Sequence, residues 1–203
     1  MARRAGAPEV NAGSMADIAF LLLIFFLVTT TIETDAGLDR MLPPMDPPDD
    51  IDVVIKQKNI FQVNINKNGQ LLADEELVNL KDLRTKAMAF LDNGGDGTCT
   101  YCKGRKNSES SDNPTKAIIS LKNDRETKYG TYITVQNELV GAYNDLRNRE
   151  AERLFGRKFT DMEAEYLNPE TAQSTKDDLK EKVKQIQDLF PQKLSEAETS
   201  SSN

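Results

Sequence analysis

Residues 12–32 carry a single charge, Asp17, in a run otherwise dominated by Leu, Ile, Phe, Val, Ala and Thr. No other stretch constrains the chain as strongly. At about 1.5 Å per residue a helix of this length reaches roughly 30 Å, the thickness of a bilayer's hydrocarbon core. The run therefore predicts one membrane-spanning helix. A cleaved signal peptide is the rival reading, because Arg3 and Arg4 precede the apolar run. Against it stand the length of the run, its exit through Thr29, Thr30 and Thr31 into Glu33 and Asp35, and the absence of a small-x-small cleavage signature. Orientation follows from the flanks. Arg3 and Arg4 lie before the span, while Glu33, Asp35, Asp39, Asp46, Asp49, Asp50 and Asp52 follow it with only Arg40 opposing them. The positive-inside rule predicts a cytoplasmic N-terminus with everything beyond residue 33 outside, which in a bacterium is the periplasm.

An aspartate near the centre of a membrane helix costs about 2.5–3.5 kcal/mol on insertion scales and usually faces other helices or a hydrated cavity. The residues alone leave two readings of Asp17 open. In the first, Ser14 is an N-cap and Asp17 completes a capping box at the third helical position, where the helix dipole favours negative charge. In the second, Asp17 is a reversibly protonated carrier. Ser14, Asp17, Leu21, Ile24, Val28 and Thr31 recur at steps of three and four residues and so form one seam along the helix. Such a seam suits helix-to-helix contact, with the hydroxyls of Ser14 and Thr31 placed to serve a proton pathway at its ends.

Beyond the span, residues 33–50 are acidic and contain Pro43, Pro44, Pro47 and Pro48, a composition that favours an extended polyproline spacer. Docking of this segment on a partner's aromatic groove is the alternative. Residues 51–150 are expected to form a small α+β domain. Residues 51–55 read as a strand, and Phe61, Val63 and Ile65 alternate along a second. Asn68-Gly69 is a hairpin signal leading into Leu71 and Leu72. Leu80, Leu83, Ala87 and Phe90 have helical spacing and Asn93-Gly94 ends that helix. Residues 116–122 read as a buried strand, and Val135, Leu139, Tyr143 and Leu146 mark a second helix. Between them, residues 93–115 read as a flexible insertion. No strand is evident directly after the second helix, where residues 147–158 stay charged. Residues 151–203 are expected to be a helical extension, with Leu179, Val183, Ile186 and Phe190 on one side of a helix, and a disordered tail.

Composition excludes several functions. A net charge of -7 argues against nucleic acid, and the absence of His removes the commonest general base and metal ligand. Cys99 and Cys102 form a lone CxxC that lacks the two further ligands a structural zinc needs. The pair reads as a small disulfide loop, because a catalytic dithiol belongs at a helix start after a strand and this one lies in the insertion. Asp92 to Gly97 resembles part of a calcium loop, but Lys103 stands where the bidentate Glu belongs. With no nucleophile beside a base, no phosphate loop and no metal cluster, neither an enzyme nor a cofactor is expected.

The membrane segment resembles that of the ExbD/TolR family, small single-pass subunits of proton-driven motors in the inner membrane of Gram-negative bacteria. The resemblance rests on Asn11, six residues before Asp17, and on the apolar run from Ile18 to Val28. The chain departs from the family at Gly13-Ser14, where Thr-Pro is common. Over residues 1–150 the layout is similar to the family's, including its α+β outer domain. The resemblance implies Asp17 as proton carrier, a homodimer of the transmembrane helix, an ExbB-like proton-channel subunit as partner, and a TonB-like protein driven by the motor. A TolR-like role in envelope maintenance stays open, as does a non-energised single-pass anchor displaying a binding domain.

Overall fold

The computed structural model describes residues 12–29 and 56–197. Arg3, Arg4, Asn11, Thr31, the proline-rich segment 33–50, the strand expected at residues 51–55 and the tail 198–203 lie outside the described residues. Two compact units are present, one holding the N-terminal helix and one holding residues 56–197.

The first unit contributes α1, Ala12–Thr29, an unbroken helix of 18 residues. Leu, Ala, Met and Phe sustain it, and it contains no proline. At 1.5 Å per residue it extends about 27 Å. The expected span extends to Ile32, and among the described residues no helix is by itself long and apolar enough to cross a membrane.

In the second unit a single 3-10 turn, Gln57–Asn59, leads into β1, Ile60–Ile65. The alternation of the sequence is realised there, since Phe61, Val63 and Ile65 are buried and Gln62 is exposed. The turn after β1 is closed by Asn66, whose side-chain oxygen accepts the N–H groups of Asn68 and Gln70. Gly69 sits at φ 76°, a conformation that costs glycine little. The chain returns as β2, Leu71–Ala73, paired antiparallel to β1 with Val63 opposite Ala73 and Ile65 opposite Leu71. A second tight turn, at Asp74-Glu75, produces β3, Glu76–Val78. Both turn residues have positive φ, 47° and 67°, as a type I′ hairpin turn requires. Sequence reading misses this hairpin because Asp-Glu stands where Asn-Gly would announce it.

Helix α2, Leu80–Leu91, then crosses to β4, Ile118–Asn123, which lies parallel to β1 with Phe61 opposite Ile119 and Val63 opposite Leu121. Helix α3, Tyr129–Phe155, follows. Leu83, Ala87, Phe90 and Leu91 of α2 pack with Val135, Leu139, Ala142, Tyr143 and Leu146 of α3 and with the inward residues of β1, β2 and β4 to make the main core. The helical spacing and the strand alternation thus converge on one apolar layer, as an α+β arrangement demands.

The C-terminal region departs from expectation. Helix α3 runs through residue 150, where a domain boundary is expected, and continues to Phe155, where Gly156 ends it in the left-handed conformation at φ 67°. Helices α4, Phe159–Leu167, and α5, Gln173–Leu189, follow. Phe159, Met162, Leu179, Val183 and Ile186 close a second core around Ala151 of α3. Phe190 reaches back into the main core. The strand not found after the second helix comes at the end of the described chain as β5, Leu194–Ala197, parallel to β4 with Ile119 opposite Leu194. It completes a five-stranded sheet in the order β3-β2-β1-β4-β5. Four residues are too few to show a period of two, so their strand character comes from the neighbour they pair with.

The insertion 93–115, expected as a loose surface loop, is packed onto the domain. Asn93, Ser111 and Asp112 in it are buried. The amide group of Asn93 donates to the carbonyls of Asn107 and Ser111, at 2.8 and 2.7 Å, and its oxygen accepts from Asn107 N–H. Polar residues that read as solvated loop instead saturate one another's backbone groups, which is what burial of such a segment requires.

Candidate functional site

On α1 the helix begins two residues before Ser14, so Ser14 stands inside the helix, no acid falls in the first turn, and Asp17 occupies the second turn. A capping box needs Ser14 at the N-cap, and the observed helix start is incompatible with that placement. Asp17 is exposed, and so are the apolar residues around it. Met15, Ile18, Phe20, Leu21, Leu22, Leu23, Phe25 and Phe26 each expose more than half of their surface, and Ile24 exposes 39%. With a 100° turn per residue these positions surround the helix, and among its described side chains the carboxylate of Asp17 is the polar one. A helix apolar on all sides is stable only when buried in protein or lipid. The structure places Asp17, Leu21 and Ile24 along one line of α1, while Thr31, the far end of the expected seam, lies outside the described residues.

The second unit carries its own charged cluster, which the sequence does not announce. Arg149 of α3 holds Asp92, just past the end of α2, with a two-pronged pair: Nη1 to Oδ2 at 2.6 Å and Nη2 to Oδ1 at 2.8 Å. Its Nε donates to Glu150, which is completely buried and also accepts from Arg153 Nε at 2.6 Å. The hydrogen bond to Asp92 holds the Arg149 guanidinium more firmly protonated than usual. Such a planar fork on a carboxylate is the strong form of ion pair, and here it ties the end of α2 to the last third of α3. At the other end of the insertion, Asp112 is gripped by Lys58 at 2.5 Å and by the amide of Asn59, and the Lys58 contact holds its carboxyl below the usual range. Asn59 in turn accepts the Asp112 N–H at 2.8 Å, so the insertion is bolted to the entry of β1.

These pairings engage both acids of the calcium-like segment. Asp92 is occupied by Arg149, and Asp96 by Thr98 and Lys116, which hold its carboxyl down to about 2 through the Thr98 hydroxyl and N–H and then the ammonium. Among the described residues no group of three or more potential ligands could hold a metal ion. Cys99 and Cys102 are joined in a disulfide with their Cα atoms 5.5 Å apart.

What the second unit offers is a rigid, charged, mixed-sheet domain, and what the first offers is a lone carboxylate on an apolar helix. The chain thus joins an apolar, acid-bearing helix to a small α+β domain with a mixed five-stranded sheet. The chain belongs to the family described as Biopolymer transport protein ExbD/TolR, whose sequence pattern matches residues 3–147. The match takes in α1, the hairpin strands, α2, β4 and most of α3, and stops before α4, α5 and β5. No curated protein matches the chain. Members of this family are biopolymer transport subunits associated with the inner membrane, and in general they work with ExbB/TolQ-type and TonB/TolA-type partners.

Proposed function

We propose that this chain is an ExbD-like subunit of an inner-membrane complex that uses the proton motive force to drive TonB-dependent transport across the outer membrane, with Asp17 as the proton carrier. One observation carries the proposal: α1 exposes large apolar side chains all round a single carboxylate in its second turn. An isolated helix of that kind is unstable in water, so its surroundings are lipid and other apolar helices, and the carboxylate must meet a protein-lined path or be neutralised. In this reading α1, continued through Ile32, is the single transmembrane helix, its N-terminus lies in the cytoplasm, and the α+β domain stands in the periplasm. Two copies pair through the seam of Ser14, Asp17 and Thr31 inside an ExbB-like proton channel.

The energetics permit a cycle. Moving one charge through the membrane field is worth about 2.3 kcal/mol per 100 mV, comparable with the roughly 2.5–3.5 kcal/mol cost of placing an aspartate in the membrane. Protonation from one side neutralises Asp17 and lets the helix turn away from the hydrated path, and release to the other side restores the charge.

The test is uptake of a TonB-dependent substrate by cells carrying Asp17→Asn. The expected outcome is loss of uptake with normal assembly, because the amide keeps the side chain's size and cannot carry a proton. Uptake at the wild-type rate refutes the proposal. Copurification separates the ExbD-like role from a TolR-like one: a TonB-like partner is expected, and a TolA-like partner in its place overturns that part.

A further inference from the structure

The short disulfide loop sits where the C-terminal segment joins the domain, and its neighbours connect it to β5. Tyr101, between the two cysteines, donates its hydroxyl proton to the Leu189 carbonyl at 2.8 Å. Its ring stands edge-on to Phe190 with centroids 5.4 Å apart. Its own carbonyl accepts Arg149 Nη2 at 3.4 Å. Leu189 ends α5, Phe190 caps it, and β5 begins at Leu194 and runs only four residues along the sheet edge. Tyr101 therefore joins Arg147, whose Nε donates to the Phe190 carbonyl at 3.0 Å, and Tyr143, whose hydroxyl donates to the Lys193 carbonyl at 3.4 Å, in holding the hinge from which the edge strand departs. A disulfide closing so short a ring restricts the unfolded chain little, so its effect is local shape rather than global stability.

The loop also borders a cleft, although Cys99 and Cys102 keep only 6% and 8% of their surface exposed. Cys102 lines a cleft of about 360 Å³ together with Tyr101, Lys103, Arg153, Gln185 and Leu189. Lys103 and Arg153 bring positive charge to that cleft, which favours an approaching thiolate. The Cys102 N–H donates to Cys99 Sγ at 3.1 Å, which stabilises negative charge on Cys99 when the bond breaks.

We propose that Cys99–Cys102 is a thiol-exchange latch, opened from the cleft by a dithiol reductant that attacks Cys102, and that opening it releases the edge strand β5 from the sheet. The incoming thiolate bonds to Cys102 Sγ and the electron pair of the S–S bond leaves on Cys99. The second thiol of the reductant then displaces Cys102, so that the reductant departs as a disulfide and both cysteines end as thiols, having taken up two electrons and two protons. Tyr101, no longer held by the closed ring, loses its geometry toward Leu189 and Phe190, and the four-residue strand loses one of the anchors at its hinge. This latch is independent of the proton-carrying reading of Asp17, and neither falls with the other.

The test uses the full-length chain in detergent. Brief exposure to glutathione, followed by acid quench, alkylation and peptide mapping, is expected to place the glutathione adduct on Cys102 and the alkyl group on Cys99. A preferential adduct on Cys99 overturns the assigned direction of attack. Hydrogen exchange is then compared before and after dithiothreitol. Amides of residues 194–197 are expected to exchange roughly tenfold faster after reduction, the factor that losing one hydrogen bond's net free energy gives, while those of α2 stay unchanged. Unchanged exchange at residues 194–197 overturns the latch, and so does an equal acceleration across the whole domain. Tyr101→Ala with the disulfide intact is expected to reproduce the acceleration without reductant, and its failure to do so removes Tyr101 as the link.

Discussion

Phe190→Ala is the sharpest test of whether the C-terminal helices and β5 belong to the same folding unit as the sheet. The ring is fully buried in the main core although it lies beyond α5. It meets Tyr101 edge-on at 5.4 Å, and the Arg149 guanidinium lies 5.9 Å from its centroid. The Phe190 carbonyl accepts Arg147 Nε at 3.0 Å, a contact that alanine keeps. The loss is therefore the side chain alone: transfer to water plus the cavity left between Tyr101 and α3, together about 3–5 kcal/mol for a buried phenylalanine. Domains of this size hold about 5–15 kcal/mol in total, so the variant is expected to fold and to melt far earlier. At about 2–4 °C per kcal/mol the midpoint falls by roughly 6–20 °C. Thermal and urea unfolding of the full-length protein in detergent, followed by circular dichroism, measures it. Leu167→Ala is the control, since that side chain is 56% exposed and its loss costs within about 0.5 kcal/mol. A Phe190→Ala midpoint indistinguishable from that of the control refutes the reasoning and makes the extension an ornament on the domain.

Two further outcomes follow from particular side chains. The Asp96 carboxyl is held at about 2 in the folded protein against an ordinary value of 3.8, first by the Thr98 hydroxyl, then by the Thr98 N–H and Lys116. A depressed acid contributes its stability above the unfolded value and loses it as pH falls through the folded one, so the urea midpoint is expected to drop between about pH 4 and pH 2. Asp96→Asn is expected to flatten that part of the profile, and parallel profiles for the two proteins contradict the assignment. Glu75 holds φ 67° in the turn between β2 and β3, a conformation that costs a residue with a side chain about 1–2 kcal/mol. Glu75→Gly is expected to raise stability by about 1 kcal/mol in the same urea assay, and a loss of stability shows that the Glu75 side chain supports the turn.

Much of the second unit was legible because its elements are periodic. Phe61, Val63 and Ile65 announce β1 by alternation, Leu83, Ala87 and Phe90 announce α2 by helical spacing, and Asn68-Gly69 marks the turn between β1 and β2. The hairpin at Asp74-Glu75 escaped because its backbone conformation is imposed on residues that do not prefer it. The ion pairs escaped for a different reason. Arg149 and Asp92 are 57 residues apart in sequence, and Lys58 and Asp112 meet only because the insertion folds back over the start of β1. Charged residues without periodicity look alike whether solvated or buried.

By itself the sequence determined which segments are apolar and with what period: one acid-bearing apolar helix, alternating strands, and two amphipathic helices that need a common layer to cover. Those are local properties, set by each residue's own chemistry and its spacing from the next. Only the tertiary structure decided that residues 93–115 are bolted down by Asn93 and Asp112, and that the last strand of the sheet comes after two further helices. Each of these depends on pairing between groups far apart in the chain. A four-residue strand such as β5 has no identity until β4 offers its unpaired backbone, and a buried carboxylate such as Glu150 is tolerable only once Arg149 and Arg153 have been brought to it.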